Sequence, residues 1–153
     1  MGKNSYLIIV LIGILIATGI VFLNTYAQPE GTIKVGDVYF GIPEGYHEGT
    51  LNQLGDVNLT NGTNSIFIKK HDSGDLYKKI KEYEEYKKTE NTTVTVSNFK
   101  INDELVYKTV SDHDANVNHY WFLKNNKVYS IYSLQKNEDI DKIATNMIKT
   151  AKC

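Results

Sequence analysis

The sequence contains no arginine, and all 17 of its basic residues are lysines. Arginine is the side chain best suited to bind a phosphate or carboxylate group through two hydrogen bonds at once. The formal net charge is −1, and a chain so close to neutral has no strong field that attracts nucleic acid. We therefore do not expect nucleic acid as a partner.

The sequence is also poor in cysteine, since Cys153 is the only one. A single cysteine excludes a disulfide within the chain, so the folded part must depend on the packing of its core. Removing the first 30 of the 153 residues leaves 123, which is enough for one domain with its own core.

An uncharged apolar segment lies near the N-terminus, at Tyr6–Leu23, YLIIVLIGILIATGIVFL. As a helix it would be about 27 Å long, close to the thickness of the hydrocarbon core of a bilayer. Lys3 precedes it, so the positive-inside rule places residues 1–5 in the cytoplasm and the rest of the chain outside. We expect a single-pass, signal-anchor protein of the cell membrane, with the lipid bilayer as a partner through this segment.

A cleaved signal peptide is the alternative interpretation of the same segment. Thr25 and Ala27 are small residues at the −3 and −1 positions of a cleavage site before Gln28. In that case the protein is secreted. In both interpretations residues 24–31 form a linker and residues 32–153 form an extracytoplasmic domain.

Alternating apolar residues and turn signals predict a chain of strands with two helices. The dipeptide Asn61-Gly62 predicts a type I′ hairpin, and Asn102-Asp103 and Asn125-Asn126 predict two further tight turns. The predicted strands are Thr32–Val35, Val38–Ile42, Asp56–Thr60, Thr63–Lys70, Thr93–Lys100, Glu104–Ser111, Val117–Lys124 and Lys127–Leu134. The predicted helices are Asp75–Thr89 and Asn137–Lys152, each with an apolar stripe.

Large side chains alternate on both faces of the predicted strand at Val117–Lys124, where Tyr120 and Trp121 point in opposite directions. A sheet with two apolar faces needs a cover on each. The expected fold class is α+β: an N-terminal transmembrane helix, then an antiparallel sheet of about six to eight strands flanked by two helices.

Two phrases carry a resemblance to a known superfamily. They are the strand exit at residues 38–46, VYFGIPEGY, and the hairpin at residues 120–129, YWFLKNNKVY, which precedes the last helix. With the order of elements, they make residues 32–152 similar to the PsbP-like and DcrB-like αβ-sandwich superfamily. The resemblance implies an antiparallel sheet flanked by helices and a generally non-enzymatic binding or assembly role at a membrane. It implies no catalytic residue.

Aromatic residues are abundant, with 11 tyrosines and one tryptophan. Tyrosine and tryptophan combine an apolar body with a polar tip, which suits a surface that binds sugars or peptides. One hypothesis is an aromatic patch that binds a cell-envelope polymer or a partner protein, and the other is ordinary packing of the sheet. The five residues of the hypothetical patch are Tyr107, Tyr120, Trp121, Tyr129 and Tyr132.

The sequence has no motif for nucleophilic catalysis, and its candidate metal motifs are incomplete. Asp72-Ser73-Gly74 lacks the first glycine of a nucleophile elbow. Asp112, Asp114 and Asn116 alternate like the first ligands of an EF-hand loop, but a valine and a leucine occupy its required glycine and glutamate positions. His113 and His119 with Asp114 are a second weak metal candidate. We expect no cofactor.

Three glycosylation sequons begin at Asn58, Asn61 and Asn91, and they become glycosylation sites if the domain is exported. Together these observations predict a membrane-anchored, extracytoplasmic binding or assembly module without catalytic activity. The alternatives are a secreted binding protein and a metal-dependent hydrolase that uses the region of Asp112–His119. The sequence predicts neither a particular ligand nor an oligomeric state.

Overall fold

The computed structural model describes residues 30–112, 117–134 and 137–153. Within these ranges residues Gly31–Cys153 form one compact unit with nine strands and two helices. The strands are β1 Thr32–Val35, β2 Val38–Gly41, β3 His47–Glu48, β4 Val57–Thr60, β5 Ser65–Lys70, β6 Val94–Ile101, β7 Glu104–Ser111, β8 Asn118–Lys124 and β9 Lys127–Tyr132. The helices are α1 Leu76–Thr89 and α2 Ile140–Thr150.

Seven strands form one antiparallel sheet in the order β3-β4-β5-β9-β8-β7-β6, and β1 and β2 form a separate two-stranded hairpin. Asn102, Asp103, Asn125 and Asn126 all have positive φ values, between 47° and 65°. Asparagine and aspartate tolerate this left-handed conformation better than most residues. The two tight turns predicted for these residues, β6–β7 and β8–β9, are therefore confirmed.

The predicted type I′ turn at Asn61-Gly62 is wrong, because β4 and β5 are joined by four residues, 61–64. The Asn61 side chain accepts hydrogen bonds from the backbone N–H groups of Thr63 and Asn64, at 3.0 and 2.8 Å. This local hydrogen bonding by an asparagine side chain competes with the two-residue turn. Only Gly62 has a positive φ here, 89°.

Different elements cover the two faces of the sheet. On one face, α2 contacts β2, β6 and β9, and β1 contacts β5, around a core that contains Phe40 and Phe122. On the other face, α1 packs Leu76 and Ile80 against Trp121 and Val128. We call these the α2 face and the α1 face.

Polar contacts fix the ends of both helices. The Asp75 side chain caps α1 by accepting a hydrogen bond from Lys78 N–H at 2.9 Å, as its position before the apolar stripe predicts. The last helix was predicted to extend to Lys152, but α2 ends at Thr150. Its end is earlier because Lys152 pairs with Tyr39 of β2 through two backbone hydrogen bonds, of 2.7 and 3.0 Å.

The predicted fold class is wrong. The described residues form a mostly β fold, with more strands than the six to eight expected and with a separate hairpin in place of a single sheet. Among those residues no helix is long and apolar enough to cross a membrane, so the transmembrane, single-pass and signal-anchor features are not found there. The segment Tyr6–Leu23 and residues 1–5 lie outside the described ranges.

A substitution in the central strand β8 tests the core of the α2 face. Phe122 is completely buried on the α2 face, so Phe122→Ala should lower the free energy of unfolding by about 3–5 kcal/mol through lost burial and a cavity. Tyr77→Ala removes an aromatic ring that is 62% exposed and should cost no more than about 0.5 kcal/mol. Urea denaturation followed by circular dichroism measures both, and equal losses would contradict this description of the core.

Candidate functional site

The structure separates the five aromatic residues of the predicted patch. Tyr120 and Tyr129 lie in the core of the α2 face and are 1% and 0% exposed. Trp121 and Tyr132 are also buried but point to the α1 face, because they alternate with Tyr120 and Ile131 along their strands. Tyr107 is half-buried beside α1. The five side chains thus form no common surface, and all five contribute to packing.

Six rings on the α1 face form a continuous group of stacked and tilted pairs, which we call the ring cluster. Neighbouring ring centroids lie 4.5 to 5.4 Å apart, the range typical of favourable aromatic pairs. The sequence placed three of the six in a candidate site: Trp121 and Tyr132 in the aromatic patch, and His119 in a metal candidate. Alternation along β5, β8 and β9 indicates that the strand residues share one face. The members are Phe67, His71, Tyr83, His119, Trp121 and Tyr132.

Asp56 lies beside the ring cluster and contacts Tyr132. The Tyr132 hydroxyl donates a hydrogen bond to the buried Asp56 carboxylate, and Asn52 Nδ2 donates to both residues, at 3.2 and 3.0 Å. Lys69 Nζ lies 3.5 Å from the same carboxylate. Burial, together with the hydrogen bond to Asp56, raises the pKa of Tyr132 well above its ordinary value. The carboxylate is therefore fully engaged within the domain.

The two histidines of the ring cluster are neutral at pH 7. Burial, with a smaller effect of Lys87, lowers the pKa of His119 to about 3. Burial and then Lys69 lower the pKa of His71 to about 4. His71 Nε2 lies 2.9 Å from Ser130 Oγ, whereas His119 Nδ1 has no hydrogen-bond partner among the described residues. Two half-buried neutral imidazoles of this kind serve packing rather than proton transfer at neutral pH.

Of the predicted metal ligands, the structure describes only Asp112 and His119. Asp112 is exposed after β7, and its carboxylate accepts a hydrogen bond from Thr93 N–H at 2.9 Å. His113, Asp114 and Asn116 lie outside the described residues. In the part of the chain that is described, no group of three histidine, cysteine, aspartate or glutamate residues could hold a metal ion.

The three sequons differ in accessibility. Asn61 and Asn91 are exposed. Asn61 lies in the β4–β5 loop, and Asn91 lies in the turn that follows α1. Asn58 is half-buried in β4, and its side-chain oxygen is buried. Glycan attachment stays a prediction at all three positions, and access favours Asn61 and Asn91.

A polar groove of about 530 Å³ lies between the segment 43–46, the β4–β5 loop and α2. Three amides, two carboxylates and one ammonium group line it. None of these six side chains was predicted as a functional group from the sequence, except that Asn61 begins a sequon. The six are Glu44, Asn61, Asn64, Asp139, Lys142 and Asn146.

The groove also contains an aromatic ring. Tyr46 is half-buried, packs against the core of the α2 face, and accepts a long hydrogen bond of 3.4 Å from Asn137 Nδ2. Pro43 and Ile143 add apolar surface beside it. The Asn61 amide oxygen is engaged in its own loop, so this residue offers its NH₂ group as a donor. The groove therefore combines an aromatic ring with amide donors and carboxylate acceptors.

A second, smaller groove of about 280 Å³ lies beside the start of α1. It is lined mainly by apolar groups, among them Tyr77, Leu105 and Leu123, which are 62%, 40% and 39% exposed. Tyr107 belongs to this lining, so it is the one residue of the predicted patch that reaches a surface groove described here.

Comparison with known proteins yields no match, either to a protein-family model or to a curated protein. The resemblance to the PsbP-like and DcrB-like superfamily therefore stays a prediction.

The ring cluster predicts how stability depends on pH. A histidine that stays neutral in the fold is protonated in the unfolded chain below about pH 6.5, so stability is complete above that pH and falls as the pH drops toward the folded value of about 3. For His119 the loss is at most about 1.4 kcal/mol per pH unit. His119→Phe should flatten this fall, as measured by urea denaturation from about pH 7 to about pH 4.5. Parallel curves for the two proteins would contradict the lowered pKa of His119.

Proposed function

We propose that this domain is a non-catalytic binding module that holds a polyhydroxylated ligand, a saccharide chain of the cell envelope, in the polar groove. One observation carries the proposal: a half-buried tyrosine ring lies in a groove whose other polar groups are mostly amides and carboxylates. The predicted extracytoplasmic location, which stays a prediction, would bring the domain to such a polymer.

The size and shape of the groove support this assignment. Its volume of about 530 Å³ lies within the roughly 300–1,000 Å³ of typical small-molecule sites. The groove lies at the surface between two loops and a helix, so it can admit a segment of a longer chain. Loops held by a rigid sheet are also a common way to position binding residues.

The lining chemistry selects hydroxyl groups. An amide donates and accepts hydrogen bonds, and a carboxylate accepts two or more, so Asn64, Asn146 and Asp139 can bind neighbouring hydroxyls of a sugar. The Tyr46 ring offers an apolar face to the C–H groups of a pyranose while its hydroxyl stays hydrogen-bonded. Glu44 and Asp139 outnumber Lys142, so the groove does not favour a polyanion.

We assign no catalytic step, because the sequence carries no catalytic motif and the described residues hold no candidate metal cluster. The alternative of a metal-dependent hydrolase depends on residues 112–119, of which 113–116 lie outside the description. A secreted form of the same binding module remains compatible with the proposal, since the groove lies entirely within Gly31–Cys153.

The groove can be tested with defined sugars. The double variant Lys142→Ala/Asn146→Ala should bind its best oligosaccharide more weakly, by about 2- to 10-fold for each hydrogen bond lost. Lys149→Ala is the matched control, because Lys149 is exposed on the same helix outside the groove. A glycan array selects the ligand, and titration calorimetry measures the affinities of the full chain and its variants.

Three results would contradict the proposal. The first is an array on which the folded chain binds no glycan, with chitotetraose and cellotetraose included as soluble probes. The second is an equal loss of affinity in Lys149→Ala and in the double variant, which would place the site elsewhere. The third is release of shorter sugars during incubation, which would show that the domain is an enzyme.

A further inference from the structure

The two edges of the seven-stranded sheet differ in length. At one edge β3 has two residues, whereas at the other β6 has eight, all of which are paired with β7 in continuous register. No described strand lies on the outer side of β6. Proteins usually protect long edges with proline, bulges or several charges, but β6 has no proline, no bulge and a single charge, at Lys100.

The hydrogen bonding of β6 to β7 shows which backbone groups point outward. The N–H of Asp112 donates to the carbonyl of Thr93 at 3.1 Å, in the same register as the ladder that follows. Hydrogen-bonded pairs alternate along an antiparallel ladder, so Thr95, Ser97 and Phe99 also face β7. The remaining residues direct their N–H and C=O groups away from the sheet; they are Val94, Val96, Asn98 and Lys100.

The outward-facing backbone groups of β6 can pair with the same groups of β6 in a second copy of the chain. When two β6 strands pair antiparallel about a twofold axis at Ser97, Val94 lies opposite Lys100 of the second copy and Val96 lies opposite Asn98. Each of these pairs joins outward-facing backbone groups, so all four outward residues of both strands form hydrogen-bonded pairs. Registers shifted by two residues leave some of these groups unpaired.

The side chains permit the same pairing. Residues directly opposite each other must lie on one face of the sheet. The two members of each pair above are separated by an even number of residues along β6, so their side chains lie on the same face. The α1 faces of the two copies therefore coincide. The only charge, Lys100, lies opposite a valine, and the two lysines are at opposite ends of the paired segment. The four central residues, Thr95 to Asn98, are all exposed.

We propose that two copies of this chain associate through β6, in the antiparallel register centred on Ser97, and form a continuous sheet across a twofold axis. The association does not involve the polar groove, which lies at α2, the segment 43–46 and the β4–β5 loop. It is therefore independent of the proposed ligand and can be tested without it.

A disulfide between copies tests the register. In the proposed pair Ser97 faces Ser97 of the second copy at a non-hydrogen-bonded position, where the Cα atoms lie about 4.5 Å apart, within the range of a disulfide. Thr95 of the two copies is about 14 Å apart, since they are offset by four residues. In the full chain with Cys153→Ser, which removes the exposed native thiol, Ser97→Cys should oxidise to a covalent dimer and Thr95→Cys should not.

A charge at the edge tests the association itself. Val96→Lys places four lysines within the paired segment. The dissociation constant of the dimer should rise by at least about 10-fold, as measured by sedimentation of the full chain. Leu123→Lys is the matched control, because Leu123 is 39% exposed against 36% for Val96, on the same face but in an inner strand. Its dimer should persist.

Any of three outcomes overturns the proposal. They are a wild-type chain that is monomeric at all concentrations, equal cross-linking of Ser97→Cys and Thr95→Cys, and a dimer that Val96→Lys leaves intact. The first leaves β6 available to a strand of a different protein, and the last places the contact between copies on another surface. Circular dichroism of each variant confirms that the comparison is between folded proteins.

Discussion

The central strands β8 and β9 are apolar on both faces, and the rest of the domain follows from this constraint. Tyr120 and Phe122 are buried on the α2 face, and Trp121 is buried on the α1 face. A strand of this kind is stable only when both of its faces are shielded from water. The helix α1 and the polypeptide around α2 supply the two covers, and every groove described above lies at the margin of one of them.

The two covers differ in chemistry. The α1 face holds the ring cluster and the engaged Asp56 carboxylate, and its buried Trp121 donates a hydrogen bond to Thr109 Oγ1 at 2.9 Å. On the α2 face an ion pair between Lys108 and Asp141, with both oxygens 2.9 Å from the ammonium, ties β7 to the helix. The polar groups of the ring cluster are engaged or half-buried, so the proposed ligand site lies instead at the loops beside α2, where polar groups are accessible.

Local signals in the sequence predicted much of the secondary structure. The strand bounds from β4 to β9 agree with the predictions within two residues, because alternation and asparagine turns act over short distances. The short strand β3 was not predicted, since its two residues pair with Thr60 and Leu59 and carry no pattern of their own. The fold class was wrong because the described residues form a mostly β fold of nine strands, two of them in a separate hairpin, and include no helix that could span a membrane. No local signal indicates that β1 and β2 separate from the main sheet.

The candidate site was less predictable than the fold. Tyrosines attracted a functional interpretation, but the pairing register decides which of them point into a core, and register is a tertiary property. The groove residues converge because the β4–β5 loop lies beside the outer face of α2, and neither element indicates this in its own sequence. Only the segment 43–46 contributed to both the superfamily resemblance and the groove.

The pairing of Tyr39 with Lys152 also has a kinetic consequence. The two residues are 113 positions apart (152 minus 39), so forming this contact closes a very long loop, and such contacts form late because chain entropy opposes them. The β6–β7 and β8–β9 hairpins, whose partners are neighbours in the chain, have no such delay. The domain should therefore assemble from the middle of its sequence outward, with its first strands and final helix docking together in the last step.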